Sequence, residues 1–135
     1  MADKHFGSCL CGSVRYEVTG AFDAFFLCHC QYCQKDTGSA HAANLFSTKA
    51  ALSWLEGDTN IQSFTVPGTR HQKAFCQTCG SAVPYTQMDG KLVVVPAGSL
   101  DSPVSIRPNA HIMYSSKADW DHELYKTEKI DGLPK

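Results

Sequence analysis

The stretch SCLCGSVRYEVTG, residues 8–20, joins two signals that decide the fold. Its second half alternates Val14, Tyr16 and Val18 with polar residues and stops at Gly20, the pattern of a half-buried strand with a turn behind it. Its first half is a Cys-x-Cys-Gly turn. Glycine after a pair of thiolates lets the chain bend sharply at positive φ, so that backbone N–H groups point at sulfur. CQTCG, residues 76–80, ends in the same way. We therefore pair Cys9 and Cys11 with Cys76 and Cys79 as a closed, tetrahedral four-thiolate zinc site that clamps two distant parts of the chain. A clamp of that kind contributes folding energy outright. Four ordinary buried cysteines would leave the matching glycines without a reason.

Outward from this stretch the sequence reads as short strands at short intervals. Phe22–Leu27, His41–Phe46, Leu52–Leu55, Ile61–Val66, Lys73–Phe75, Lys91–Val95 and Ile106–Tyr114 are strand candidates, separated by EGDTN, VPGT, QMDG and GSLDSP. No long window carries a 3.6-residue apolar period, so helix is expected only as single turns near residues 33–38, 48–51 and 116–120. The class is mainly β with antiparallel pairing and little helix. The 135 residues fit one domain, residues 1–135, with a loosely attached tail at 126–135.

The remaining three cysteines lie in FFLCHCQYCQKDTG, residues 25–38. Cys28, Cys30 and Cys33 have no glycine behind them, and three is the ligand number of a catalytic zinc that keeps a fourth position for water or substrate. A second closed site completed by a histidine is one alternative. However, a histidine between ligands at i and i+2 points away from a metal that both neighbours reach, which makes His29 a pocket or supporting residue. A Cys30–Cys33 redox dithiol is another alternative, but it expects a helix N-terminus in a βαβ setting, and no such pattern exists here.

GSCLCGSVRYEV, CHCQYCQKDTG, FCQTCGS and HIMY followed by ADW occur in this order. Together they resemble the glutathione-dependent formaldehyde-activating enzyme family, which includes centromere protein V-like domains, over residues 7–122. The resemblance implies a β-tent, short antiparallel sheets stapled by zinc, with two Zn²⁺ ions. The structural ion would lie on Cys9, Cys11, Cys76 and Cys79, and the catalytic ion on Cys28, Cys30 and Cys33. It also implies a carbon–sulfur lyase acting on a thiol–aldehyde adduct such as S-hydroxymethylglutathione. The competing class is a non-catalytic β-tent binding module that uses both metals for structure, since fold alone does not fix function.

A zinc held by three thiolates carries net negative charge and acidifies bound water weakly, so it suits a substrate sulfur better than hydrolysis. Proton transfer at the carbonyl oxygen then needs a side chain that titrates near neutrality. His29, beside the ligands, and His111, in the HI motif, are the catalytic candidates, with His41 at the head of a strand and Gln31 and Tyr32 as possible pocket residues. Trp54 and Trp120 are expected to pack in the core or at its edge.

A net charge of −1 without a basic run leaves no phosphate-neutralising surface, so nucleic acid is not an expected partner. The longest apolar runs, such as LVVVPA at residues 92–97, fall far short of a membrane span, and the N-terminal stretch has no apolar leader. Free cysteines in tight groups suit a reducing compartment, so a cytoplasmic protein with a small-molecule thiol or its aldehyde adduct as partner is expected.

Overall fold

The computed structural model describes residues 3–134, built from three small sheets. β1 (Lys4–Ser8), β2 (Arg15–Thr19) and, after β3 (Ala24–Cys28), α1 (Gln31–Thr37) and β4 (Ala42–Ser47), β5 (Ala51–Glu56) supply the first sheet, ordered β1-β2-β5. β6 (Ile61–Thr65), β7 (Gln72–Cys76) and β8 (Ala82–Val83) form the second. The third has five strands. With β9 (Tyr85–Gln87), β10 (Leu92–Pro96) and β11 (Ala110–Ile112), its order is β11-β3-β4-β10-β9.

The alternation in residues 14–18 behaves as read, because Val14, Tyr16 and Val18 are fully buried. Tyr16 and Val18 pack with Phe22, Phe25, Leu45, Val93 and Val95 in the main core, where each fully buried aliphatic side chain contributes about 1.5–3 kcal/mol. Tyr16 keeps its hydroxyl satisfied on Ser99 at 2.6 Å. A second cluster joins Cys9, Val14, Ala74, Cys76 and Val83, so the two cysteine turns lie inside an apolar packing unit. Trp54 packs against both clusters and meets the Tyr16 ring edge-on at 6.0 Å.

Register gives the five-stranded sheet two distinct faces. Leu27 stands opposite Ala43 on β4 and beside His111 on β11, all on the side of the main core. Cys28 stands opposite Ala42 and beside Ile112, on the other side, and Phe26, Asn44, Phe46, Val94 and Tyr85 share that face through successive pairings.

Several expectations change. β1 carries no apolar alternation, because the residues it buries are His5 and Gly7, and the Gly7 position leaves room only for the Tyr16 ring. The strand expected over Ile106–Tyr114 shrinks to β11 and runs parallel to β3. Pro108 has no N–H for a ladder, and Asn109 ends the approach by bonding Phe25 through both its backbone N–H and its side-chain oxygen, each at 2.7 Å. No helical turn forms at residues 48–51. The Ser47 hydroxyl accepts N–H groups from Lys49 and Ala50 and bends the chain directly into β5. Trp120, expected to pack, is 61% exposed.

Gly57 turns the chain after β5 at φ +77°, and an added Cβ would overlap the Ser13 carbonyl in the Cys9 turn. Gly90 has a similar φ with open space around it. Gly90→Ala should cost about 1–2 kcal/mol, the left-handed penalty alone, and Gly57→Ala clearly more. Equal denaturation midpoints for the two variants would contradict this packing.

Candidate metal centres

Two groups of sulfurs converge, each with its members within 4.8 Å of one another: Cys9, Cys11, Cys76 and Cys79, and separately Cys28, Cys30 and Cys33. None is in a disulfide. The first group is built from two similar turns. Gly12 donates its N–H to the Cys9 carbonyl and Gly80 to that of Cys76, at positive φ of 82° and 77°. Val14 N–H reaches the Cys9 sulfur at 3.3 Å and Thr78 N–H the Cys76 sulfur at 3.4 Å. Sulfur separations of 3.6 Å (Cys9–Cys11) and 3.9 Å (Cys11–Cys76) bracket the roughly 3.8 Å edge of a tetrahedron with 2.3 Å metal–sulfur bonds.

Ser13 and Asn60 tie this group together. The Ser13 hydroxyl lies 3.1 Å from the Cys11 sulfur and 3.4 Å from that of Cys76, and the Asn60 amide donates to Ser13 and to Thr78. The Ser81 hydroxyl and N–H hold the Cys79 thiol down to about 5, and the Ser13 hydroxyl leads the groups that lower Cys76. Both shifts favour the thiolate, the form a metal takes.

The second group sits where β3 enters α1. Cys28 ends the strand, Cys30 caps the helix by accepting the Cys33 N–H at 3.4 Å, and Cys33 is buried in the first turn. Gly38 closes the helix at φ 65°, and α1 is longer than the single turn expected. A helix N-terminus does follow a strand here, as a redox dithiol would want. The next strand, β4, nevertheless returns antiparallel to β3, so the βαβ setting is absent.

Burial raises the Cys28 thiol, and burial with the crowding of its neighbours drives Cys33 far up. For Cys30, burial is outweighed by N–H and sulfur donors from Cys33, Cys28 and Tyr32, and its thiol is lowered. Three thiols packed this way resist ionising together unless a cation joins them, so the donor set suits a soft divalent metal.

The profile of the family described as glutathione-dependent formaldehyde-activating enzyme matches residues 4–116. The chain belongs to that family. A relative from Halomonas elongata, provisionally named glutathione-dependent formaldehyde-activating enzyme, is 32% identical over 124 residues, covering 84% of this chain and 77% of its own. A crystal structure of a Rhodobacter sphaeroides protein superposes with a TM-score of 0.56 at 24% identity, over 78% of this chain and 98% of that one, and so shares the fold. No helix among the described residues is long and apolar enough to cross a membrane.

Within this family member, the two histidines singled out from the sequence come together. His29 Nε2 and His111 Nδ1 are 2.8 Å apart, His29 Nδ1 faces the Asp121 carboxylate at 3.0 Å, and the rings of His41 and Tyr114 stack edgewise on His29 at 5.1 and 5.0 Å. The His29–Asp121 contact has ion-pair distance without hydrogen-bond alignment, and both atoms are buried with no other partner among the described residues. This cluster lies on the Leu27 side of the sheet, opposite the face that carries Cys28. Gln34 of α1 secures the same loop by donating to the His29 and Ser116 carbonyls.

Sequence reading missed Asp121, Tyr114 and Gln34. Asp121 directly follows the ADW signature, which was the one available pointer. It also missed Tyr85, Asn44 and the Asp36–His71–Lys73 group, in which His71 Nε2 and Lys73 Nζ bond the Asp36 carboxylate at 2.9 and 3.2 Å and tie the end of α1 to β7.

Asp121→Ala strands a buried ring nitrogen of His29. It should cost about 1–3 kcal/mol in chemical denaturation, whereas Asp119→Ala, at an exposed position, should stay within about 0.5 kcal/mol of the parent.

Proposed function

We propose that the protein is a zinc-dependent carbon–sulfur lyase that makes or breaks a thiol–aldehyde adduct. The observation that carries this reading is the inequality of the two sulfur groups: four ligand atoms converge in one and three in the other, with no further histidine, cysteine or carboxylate ligand completing the second among the described residues. Cys9, Cys11, Cys76 and Cys79 would hold a structural zinc, and Cys28, Cys30 and Cys33 a catalytic one. The second ion, when bound, supplies a soft Lewis acid that favours a substrate sulfur in its thiolate form.

The chain's own residues supply the rest. Cys30 as helix cap and Cys28 as strand end fix the spacing of two ligands on rigid elements, and Cys33 is held in the first turn by burial. His29 and His111 act on this site by position. Joined to each other and to Asp121, they anchor the loop between Cys28 and Cys30 from the opposite face. The family's name and that of the Halomonas relative support a thiol and an aldehyde as the reacting pair.

Protein purified without chelator should contain two zinc ions per chain, and a mild chelator should remove one before the other. One zinc or none in metal analysis would sink the assignment. Cys76→Ser should lose the cooperative melt, because it breaks the long-range clamp, while Cys30→Ser should stay folded yet lose one metal and all turnover in a screen of thiol and aldehyde pairs. Matching melting curves for the two variants would count against separate roles.

A further inference from the structure

On the face of the five-stranded sheet that carries Cys28, a cavity of about 190 Å³ opens between α1, β4, β7 and the β8–β9 segment. It is lined by Ala42 and Asn44 of β4, Pro96 of β10, Tyr85 of β9, and Asp36, His71 and Lys73. Ala42 is the residue paired directly with Cys28, and Asn44 lies on the diagonal, where neighbours on one face are about 7–8 Å apart. Tyr85 pairs with Val94 of β10 and so shares the sheet face that carries Cys28. Neither the Tyr85 hydroxyl nor the Asn44 amide hydrogen-bonds another of the described residues, and both line the cavity beside apolar groups such as Ala42, Val83 and Pro96 and the polar Asp36, His71 and Lys73. Polar groups held free in such a place are ready for a ligand oxygen.

Resting on the reading above, in which Cys28, Cys30 and Cys33 bind the substrate sulfur, we propose that this cavity receives the aldehyde-derived half of the adduct, with Tyr85 and Asn44 hydrogen-bonding its oxygen. At about 30 Å³ per water-sized unit, 190 Å³ admits roughly six such units, enough for an aldehyde of one to four carbons. A tripeptide thiol does not fit, so the body of any such thiol lies outside and only its sulfur reaches in.

In the forming direction, the thiolate electron pair makes the carbon–sulfur bond and the carbonyl π pair moves to oxygen. That oxygen takes the Tyr85 proton, and water reprotonates the phenol. In the reverse direction the carbon–sulfur pair returns to sulfur, the C=O bond re-forms, and the proton leaves by the same route. Burial, with Asp36 and Cys33 nearby, pushes the Tyr85 hydroxyl up to about 12, so it stands protonated as a donor near neutral pH.

Thioacetate and ethanethiol separate the oxygen from the sulfur, because the first carries an oxygen on the sulfur-bearing carbon and the second does not. Both would be titrated into the cobalt-substituted protein, with dissociation constants read from the sulfur-to-cobalt absorption band. Tyr85→Phe should weaken thioacetate about tenfold, the loss of one charge-assisted hydrogen bond, and leave ethanethiol within twofold. Asn44→Ala, an independent variant on a different strand, should act in the same direction. Thiobenzoate should bind the parent at least tenfold more weakly than thioacetate. If both small ligands bind and neither variant alters their ratio, or if thiobenzoate binds as well as thioacetate, the cavity assignment is overturned while the sulfur site stands. If neither small ligand changes the spectrum of the parent protein, the sulfur-site reading fails, and this proposal with it.

Discussion

Four sulfurs converge where two sheets meet. The turn between β1 and β2 and the turn between β7 and β8 come together at Cys9, Cys11, Cys76 and Cys79, with the polar braces Ser13, Asn60 and Ser81 around them. The adjoining apolar cluster has Val14, Ala74 and Val83 beside its two buried cysteines, with Trp54, Ile61 and Tyr85 packed against it. Each fully buried aliphatic side chain there contributes about 1.5–3 kcal/mol. A metal on the four sulfurs would add a long-range clamp to that packing. β7 supplies Lys73, and His71 stands just before that strand; the two lock the end of α1 through Asp36. The geometry of the three-cysteine group would thus depend on the four-cysteine group through β7.

The sequence made the strands legible where burial alternates with apolar side chains, as in Val14, Tyr16 and Val18, and made the cysteine partition legible through Gly12 and Gly80. It failed where burial and hydrophobicity part company. β1 buries a histidine and a glycine, so its period leaves no apolar trace, and β11 is set by Asn109 and a parallel partner far away in the chain. Ser47 illustrates a second kind of failure. One hydroxyl, bonded to two N–H groups and to the Ala21 carbonyl, replaces a helical turn by a bend, and a single serine does not announce that from composition.

The candidate site divides in the same way. Its converging cysteines were readable because cysteine spacing is itself the signal. Its surroundings were not, because Tyr85, Asn44 and Asp36 come from three separate elements and acquire a common environment only when the five-stranded sheet packs beside β7. Asp121 was closer to hand, one residue beyond a recognisable tryptophan. Its partner is nevertheless a histidine on the far side of the chain, and no local pattern links them.

The Cys-His-Cys order follows from strand geometry. A strand sends alternate side chains to opposite faces, so when Cys28 points to the cavity side of the sheet, the next residue must turn toward the core side, and Cys30 can return to the Cys28 sulfur. Position 29 is thus obliged to face away from the two neighbouring sulfurs, in a place that is 1% exposed. An aliphatic side chain there would pack but would not fix the loop's direction. An imidazole has two opposed nitrogens, and here they reach Asp121 on one side and His111 on the other. The ring spans the gap between β11 and the segment after it, and the His29 N–H donating to the Ile112 carbonyl and the Gln34 side-chain amide donating to the His29 carbonyl complete the hold. The loop that carries Cys28 and Cys30 is therefore gripped from behind, which leaves the opposite face free for the cavity and for whatever occupies it.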